Sequence, residues 1–240
     1  MKITFTLFCL VSIINASTYL AKIEPYDFYQ IKSSLSGIVT FVNKKSEFSF
    51  IKQKLMLIHL DTKHEDIFLE NLEHSLKVQM EIQNIHQQNF KKKSKVKHIS
   101  EYEKSQEKLL LLNSKQTLLN IKKDIKKSTY QKDKKTFFVE NLYVNEIFVN
   151  KSEFVDVGDL LYELYDISKI KLTLFMKAED MSLLKNTTLY VNNIKNDFTI
   201  EKVAKVRDMK RVSTYKVILI KSNFDRKNIE FGQIVTVEFK

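Results

Sequence analysis

Between Gly37 and Gly158 the sequence contains neither glycine nor proline, and this gap constrains the fold more than any other feature. Glycine and proline are the residues that most often interrupt regular structure, so a gap of this length favours long, uninterrupted helices. From about residue 62 to 135 the segment is rich in leucine, glutamate, glutamine and lysine, which are good helix formers. The sequence predicts two helices, at roughly 62–92 and 98–134, joined by a basic tip at 91–98 (KKKSKVKH).

The apolar residues of both predicted helices recur at spacings typical of a coiled coil. Four residues of the first helix follow one another in steps of three and four: Leu69, Leu72, Leu76 and Met80. Six residues of the second helix share one heptad register: Tyr102, Ser105, Leu109, Leu112, Gln116 and Leu119. Narrow stripes of this kind suit the seam between two helices better than a globular core. We therefore expect the two helices to pair through these residues.

Strand-like segments flank the helical region, and two of them resemble each other. VNKKSEF at 42–48 recurs as VNKSEF at 149–154, and Ile51, Leu55 and Ile58 match Val157, Leu161 and Leu164 at a constant offset. An isolated hairpin is marginally stable in water, so we expect the two half-sheets to pack together and hold the ends of the helices. Alternating segments beyond residue 169 predict a small antiparallel barrel or sandwich.

The N-terminus has the pattern of a secretory signal. Met1-Lys2 precede an apolar run of about a dozen residues, which is followed by Asn15-Ala16-Ser17. We expect cleavage after Ala16, with an uncleaved anchor as the alternative. Cys9 is the only cysteine, so the cleaved chain would contain no disulfide in an oxidising compartment.

The net charge of +11 narrows the classes of partner. Between residues 62 and 135 there are 17 lysines and 10 acidic residues, and five of the lysines lie in the tip. This charge suits nucleic acid, anionic lipid or an acidic protein, or it simply keeps the helices solvated. The five histidines are scattered, and the sequence contains neither a glycine-rich phosphate loop nor a nucleophile–base constellation. We predict no metal site, no cofactor and no enzymatic activity.

This order of segments resembles that of the periplasmic adaptor subunits, or membrane fusion proteins, of bacterial efflux and type I secretion systems. SSLSGIV (33–39) resembles the opening of the first lipoyl half of that family, and VNKSEFVDVGDLLYELYD (149–166) resembles the second half. IKLTLFMKAEDMSLLKN (170–186) resembles the start of its β-barrel, and residues 215–220 and 231–234 resemble its closing strands. At the tip, the channel-docking pattern of the family falls on Asn89, Lys93 and Ser100, of which only the serine agrees.

The resemblance implies an elongated α+β chain. An α-helical coiled-coil hairpin (62–135) is expected between two halves (34–61 and 136–168) of a lipoyl-like barrel-sandwich hybrid. A small antiparallel β-barrel (169–240) is expected to follow, joined by strands from 17–33, after a signal peptide at 1–16. In this family the hairpin replaces the turn that would carry a lipoyl-lysine, so no cofactor is implied.

The implied function is that of a periplasmic adaptor associated with the inner membrane. It would bridge an inner-membrane transporter, of the RND or ABC type, to an outer-membrane channel as a homo-oligomer, without nucleic acid. Seven residues at the tip are candidates for channel contact: Asn89, Phe90, Lys91, Lys92, Lys93, Ile99 and Ser100. Gly37, Gly158 and Gly232 are expected in tight turns, where glycine is tolerated best.

Two alternatives belong to other functional classes. One is a secreted or envelope basic coiled-coil protein that binds nucleic acid or anionic lipid. The other is a structural tether of the envelope.

Overall fold

The computed structural model describes residues 17–185, 188–211, 213–226 and 229–240. The expected signal peptide at 1–16, with Cys9, lies outside the described residues. The described chain divides into two compact units. One consists of residues 30–164, and the other of residues 17–29 together with residues 165–240.

Within the described residues the chain forms two α-helices and thirteen strands. The helices are α1 (Lys63–Lys95) and α2 (Glu101–Asp133). In chain order, the strands are β1 (Thr18–Lys32), β2 (Gly37–Val42), β3 (Ser49–Ile51), β4 (Leu55–Leu60), β5 (Thr136–Val139), β6 (Leu142–Ile147), β7 (Phe154–Val155), β8 (Leu160–Lys177), β9 (Leu189–Val191), β10 (Ile194–Lys195), β11 (Thr199–Arg207), β12 (Thr214–Lys221) and β13 (Ile234–Phe239). The α+β class predicted from the sequence is confirmed.

In the unit of residues 30–164, strands from before the helices pair with strands from after them. Strands β5, β4, β2 and β7 form one sheet in that order, and β6 pairs with both β3 and β8. Gly37 lies opposite Val155, and Leu55 lies opposite Val139. The chain therefore leaves this β body through α1 and returns to it through α2.

One hydrophobic core joins the two sides of this β body. Its buried residues are Val39, Leu57, Ile58, Leu60, Val139, Val144, Ile147, Val149, Val155, Leu161, Tyr162 and Leu164. Ile58 and Leu164, which the internal repeat aligns, both lie in this core. Val157, which the repeat aligns with Ile51, is instead 64% exposed. The repeated segments thus share a core, but the alignment does not hold at every position.

The N-terminus of α1 is held by short polar contacts. Thr62 occupies the N-cap position, and its hydroxyl donates a hydrogen bond to Asp66 rather than accepting one from the helix backbone. The Asp61 carboxylate accepts from the Lys63 N–H at 3.0 Å. Glu65 and Asp66 place negative charge in the first turn, where the helix dipole stabilises it.

The second unit is an antiparallel sheet around its own core. Its strands follow one another in the order β10, β9, β13, β1, β8, β12 and β11. Strand β1 pairs antiparallel with β13, and β8 pairs antiparallel with β12 over eight residue pairs. The buried side chains are Ala21, Leu172, Leu174, Met176, Leu189, Val217, Leu219, Val235, Val237 and Phe239. These residues alternate along their strands, so each strand turns one face to the core.

Candidate partner interface at the tip of the helix pair

The link between the two helices is shorter than predicted, because α1 continues to Lys95. Only residues 96–100 connect the helices. Nothing in the sequence interrupts α1 earlier, and lysines in a last turn are stabilised by the negative end of the helix dipole. The expected bounds of the tip, 91–98, are therefore wrong. Five of the seven predicted contact residues, 89–93, lie on the last turns of α1, and Ile99 and Ser100 lie in the link.

Ser100 starts α2 as part of a capping box. Its hydroxyl accepts a hydrogen bond from the Glu103 N–H at 3.2 Å, and the Glu103 carboxylate accepts from the Ser100 N–H at 3.2 Å. This arrangement satisfies two backbone donors that would otherwise lack a partner at the helix end. Ser100 therefore has a structural role at the position where the sequence suggested partner contact.

Lys93 is also engaged within the chain. Its ammonium lies 2.7 Å from the carboxylate of Glu107, which is buried in the seam between the helices with 5% of its surface exposed. His86 Nδ1 lies 3.6 Å from the other carboxylate oxygen, too far for a hydrogen bond, so it acts on Glu107 through charge when protonated. The hydrogen bond from Lys93 holds the pKa of Glu107 below its usual value, against the opposing effect of desolvation.

The remaining lysines near the tip form a free cationic surface. Lys91, Lys92, Lys95 and Lys97 are all exposed, and the described residues provide no ion pair for any of them. Four like charges within about two helical turns attract an acidic partner over roughly 8–10 Å at physiological ionic strength. Asn89, Phe90 and Ile99 are half-buried and less available. The accessible part of the candidate site is therefore this cationic surface.

The two helices pack antiparallel along a seam that differs from the predicted one. Gln79 Nε2 donates to the carbonyl and the hydroxyl oxygens of Ser114, each at 3.1 Å. The buried residues of α2 are Glu107, Leu111, Ser114, Leu118 and Ser128. The leucines predicted for this seam, Leu109, Leu112 and Leu119, are 51–59% exposed, and Tyr102 is 71% exposed. The predicted seam of α2 is wrong.

The prediction failed because α2 carries two heptad stripes of similar apolar content, and the stripe that it selected does not face α1. The polar residues of the true seam have partners on the opposite helix: Glu107 meets Lys93 and His86, and Ser114 meets Gln79. On α1, Leu69, Leu72 and Leu76 are half-buried, as a seam position requires. Met80, however, is 53% exposed, and Gln79 occupies the seam in its place.

At the other end of the helix pair, a buried lysine ties the two helices to the β body. Lys135 is 8% exposed, and its ammonium lies 2.7 Å from the Glu65 carboxylate and 2.8 Å from the Asp61 carbonyl oxygen. Lys132 pairs with Asp66 at 2.5 Å, and this contact holds the pKa of Asp66 below its usual value. Sequence reasoning missed both contacts. The sequence pattern that could have predicted them is the presence of acidic residues in the first turn of α1 and of lysines at the end of α2.

Solved structures of other proteins have a fold similar to that of this chain. The sequence matches no family model and no curated protein. The structure is similar to that of the membrane fusion protein Spr0693 from Streptococcus pneumoniae, with 10% identity and a TM-score of 0.72 over 93% of this chain and 98% of that one. This chain has the membrane fusion protein fold.

Two further solved structures have a similar fold. A chimera of MacA that contains the Pseudomonas aeruginosa MexA α-hairpin domain matches the membrane fusion protein fold of this chain with 14% identity and a TM-score of 0.65. That match covers 94% of this chain and 80% of the chimera. The periplasmic adaptor protein EmrA matches with 12% identity and a TM-score of 0.55, over 93% of this chain and 98% of EmrA.

Within this membrane fusion protein fold, the three glycines differ in what they require. Gly158 and Gly232 have φ angles of +96° and +101°, a region that L-residues rarely adopt. Gly37 instead begins strand β2, where an added Cβ would be in ordinary contact with Leu60 at 3.5 Å. The expectation that Gly37 needs the conformational freedom of glycine is therefore not met, because it lies in extended backbone paired with Val155.

The described residues offer neither a metal site nor a membrane-spanning helix. No cluster of three or more histidine, cysteine or acidic side chains there is arranged to hold a metal ion. Neither helix within the described ranges combines the length and the apolar character that crossing a membrane requires.

Proposed function

We propose that this protein is a periplasmic adaptor subunit of a tripartite efflux or secretion system, joining an inner-membrane transporter to an outer-membrane channel. The observation that carries the proposal is the single core that residues 39–60 share with residues 139–164, with both long helices inserted between them. Membrane fusion proteins of known structure have the same fold.

In this proposal, each segment of the chain has its own role. Residues 34–61 and 136–168 act as a lipoyl-like body, 62–135 as the coiled-coil hairpin, and 169–240 with 17–33 as the β-barrel. Each helix has 33 residues, which at 1.5 Å per residue gives a reach of about 50 Å. We assign the tip to the channel and the β-rich parts to the transporter. The N-terminal segment would direct export to the periplasm.

The mechanism of such a subunit is mechanical rather than chemical. A long helix pair transmits position only if its free end is stiff and its base is fixed. The Lys135–Glu65 and Lys132–Asp66 pairs fix the base, and the Lys93–Glu107 pair joins the helices near the tip. The cationic surface of Lys91, Lys92, Lys95 and Lys97 would attract acidic groups on the channel, which favours rapid association more than tight binding.

The experiment is affinity purification of the tagged full-length protein from the solubilised envelope of its host, followed by mass spectrometry. We expect an inner-membrane transporter and an outer-membrane channel to be recovered. A variant with Lys91→Glu and Lys92→Glu should lose the channel and keep the transporter. The matched control, Lys45→Glu with Lys52→Glu, changes two exposed lysines of the β body and should keep both.

Two results would oppose this proposal. One is recovery of neither membrane protein from an exported, folded chain. The other is recovery of the protein from the cytosol together with nucleic acid, which would support the basic coiled-coil alternative. The helices lack the interleaved aromatic residues that single-stranded nucleic acid stacks on, so we favour the adaptor.

A further inference from the structure

The end of β11 and the turn that joins it to β12 carry two exposed apolar side chains among cations. Val206 is 78% exposed, and Met209, at 97%, is the most exposed of the large apolar side chains in the described chain. Four exposed cationic residues flank these two in sequence: Lys205, Arg207, Lys210 and Arg211. We name these six residues the β-turn patch.

The turn is ordered by its own backbone and by one aspartate. The Asp208 carboxylate accepts hydrogen bonds from the N–H groups of Lys210 at 2.9 Å and Arg211 at 2.7 Å. The Asp208 N–H donates to the Thr214 carbonyl oxygen at 2.8 Å, and the Thr214 N–H donates to that of Arg211 at 3.1 Å. An aspartate in such a turn is engaged by backbone donors. Met209, between Asp208 and Lys210, is therefore presented to solvent by an ordered turn.

The strand ends around this turn are strongly cationic. Residues 202–216 contain six lysines and arginines and only one acidic residue. None of the six cations makes an ion pair with a described residue. The guanidinium carbon of Arg211 lies 4.0 Å from the centre of the Phe175 ring, and that of Arg207 lies 6.0 Å from the centre of the Tyr215 ring. Contact with a ring positions an arginine without neutralising its charge, so both charges remain available to an anion.

The β-turn patch lies at the same end of its sheet as the junction with the N-terminal apolar run. Thr214, which follows the turn, pairs with Lys177, the last residue of β8. Asp180, three residues further along the chain, accepts a hydrogen bond from the Ser17 hydroxyl at 3.0 Å. Ser17 directly follows the expected signal segment at 1–16, which would enter a membrane if it were retained as an anchor. Two features that suit a bilayer therefore meet at one end of this unit.

We propose that the β-turn patch binds the surface of a bilayer that contains anionic lipid. Val206 and Met209 enter the boundary between the headgroups and the acyl chains, and the flanking cations pair with lipid phosphates. Each lysine or arginine near an anionic membrane surface strengthens binding, and the effect falls off within a Debye length. This inference goes beyond the proposed adaptor function and does not rest on it, since an exported chain meets a membrane surface whether or not it joins a transporter to a channel.

The composition of the β-turn patch suits a bilayer better than a protein partner. Protein interfaces concentrate their binding energy in well-packed side chains at the centre of a large contact area. The β-turn patch instead offers two apolar side chains near a turn, with cations on both sides. Interfacial binding combines buried apolar area with electrostatic attraction to anionic lipid, and this patch supplies both.

The test places an environment-sensitive fluorophore at position 209 of the full-length protein, through Met209→Cys in a Cys9→Ser background. The labelled protein is titrated with vesicles of phosphatidylcholine, or with vesicles of equal parts phosphatidylcholine and phosphatidylglycerol. We expect a blue shift and about a twofold rise in emission with the anionic vesicles, and neither with the neutral ones. Added salt should weaken the response, because it screens the contacts with the headgroups.

Ile200→Cys supplies the matched control for position. Ile200 is an apolar residue of the same strand and is 42% exposed. It precedes Arg207 by seven residues, which corresponds to about 20 Å along the strand. A fluorophore there should keep the emission that it has in water. Equal responses at positions 200 and 209 would show general adsorption and would overturn the inference.

A charge variant tests the cations without changing the side chain that organises the turn. Lys205→Glu with Lys210→Glu, in the protein labelled at position 209, should weaken binding to anionic vesicles at least about 30-fold, since each lysine near the surface contributes roughly a factor of five. The matched control, Lys45→Glu with Lys52→Glu, makes the same change of net charge at exposed lysines of the β body. It should leave the affinity within about threefold. Equal losses in the two variants would assign binding to net charge and contradict the proposed patch.

Photo-cross-linking in cells separates lipid from protein at this surface. A photoreactive amino acid at Met209 should give adducts with lipid and none with an inner-membrane transporter. An adduct with a transporter would assign the turn to that protein and overturn the inference. So would no change in emission at position 209 with either kind of vesicle, or an equal change with both.

These outcomes are separate from those of the adaptor function. Insertion into anionic vesicles by a protein that recovers neither transporter nor channel would support the β-turn patch and contradict the adaptor role. Recovery of both membrane proteins without insertion would support the adaptor role and contradict the patch.

Discussion

The Lys93 ammonium and the Glu107 carboxylate meet at 2.7 Å across the two helices, close to the end of the pair that is furthest from the β body. The Glu107 side chain is almost fully buried, so its charge depends on this partner. Lys93 is therefore part of the structure that presents the tip, whereas its neighbours Lys91, Lys92, Lys95 and Lys97 are exposed and make no ion pair with any described residue.

Replacing Lys93 with glutamate should destabilise the helix pair. The change would set two carboxylates against each other in the seam, and we expect a lower melting temperature by circular dichroism at 222 nm. Lys92→Glu, at an exposed neighbour, should change the stability by no more than about 0.5 kcal/mol. The double variant Lys93→Glu with Glu107→Lys should recover part of the loss. Equal losses of stability in the two single variants would show that the Lys93–Glu107 contact does not stabilise the helix pair.

Low pH should destabilise the helix pair, because Glu107 and Asp66 become protonated. Hydrogen bonds from Lys93 and Lys132 lower the pKa values of these carboxyls in the folded protein, below ordinary values of 4.5 and 3.8. A carboxyl whose pKa is depressed on folding stabilises the protein above its unfolded pKa, and this contribution is lost as pH falls through the folded pKa. The melting temperature should therefore fall as pH drops below about 4.5.

The control for this pH dependence is a variant with Glu107→Gln and Asp66→Asn. Having lost both ionisable groups, it should show a shallower fall in melting temperature between about pH 5 and pH 3. Parallel pH profiles of the two proteins would assign the acid sensitivity to other groups.

Adjacent leucines distinguish the observed seam from the predicted one. Leu111 is 7% exposed and packs in the seam, whereas Leu110 is 47% exposed. Leu111→Ala should destabilise the protein by about 2–3 kcal/mol through lost burial and an unfilled cavity. Leu110→Ala should cost less than about 0.5 kcal/mol. Chemical denaturation at 25 °C measures both, and the reverse order would mean that the helices pack through another face.

Ser100 permits a test that separates helix capping from partner contact. Ser100→Ala removes the acceptor for the Glu103 N–H and should cost about 1 kcal/mol of stability. Ser100→Asp keeps a capping acceptor and should retain the stability. If channel capture survives in the aspartate variant, the serine acts only as a cap. Loss of capture in a fully stable aspartate variant would assign Ser100 to the interface.

The sequence predicted the helices well because length and composition decide whether a helix forms. The absence of glycine and proline between residues 37 and 158 left nothing to stop α1 and α2 except the cap at Ser100. The predicted end of α1, at about residue 92, was about three residues too early, since the lysine-rich segment 91–95 is as compatible with a helix end as with a loop. Pairing of the flanking strands was also foreseeable, because Ile58 and Leu164 repeat in one hydrophobic register.

The face on which the helices meet was not predictable from hydrophobicity. Helix α2 carries two stripes of similar apolar content. One contains Leu109, Leu112 and Leu119, and the other, which contains Leu111 and Leu118 beside Glu107 and Ser114, faces α1. That choice depends on polar partners on the other helix, namely Lys93, His86 and Gln79. Heptad counting on one helix cannot show which stripe has complementary partners.

The most direct test of the adaptor role is photo-cross-linking in living cells from the tip of the helix pair. A photoreactive amino acid is placed at Lys92, and at the exposed control position Asn84 along the same helix. We predict an adduct with an outer-membrane channel from position 92 and none with that channel from position 84. An exported, folded protein that gives no channel adduct from position 92 would contradict the account.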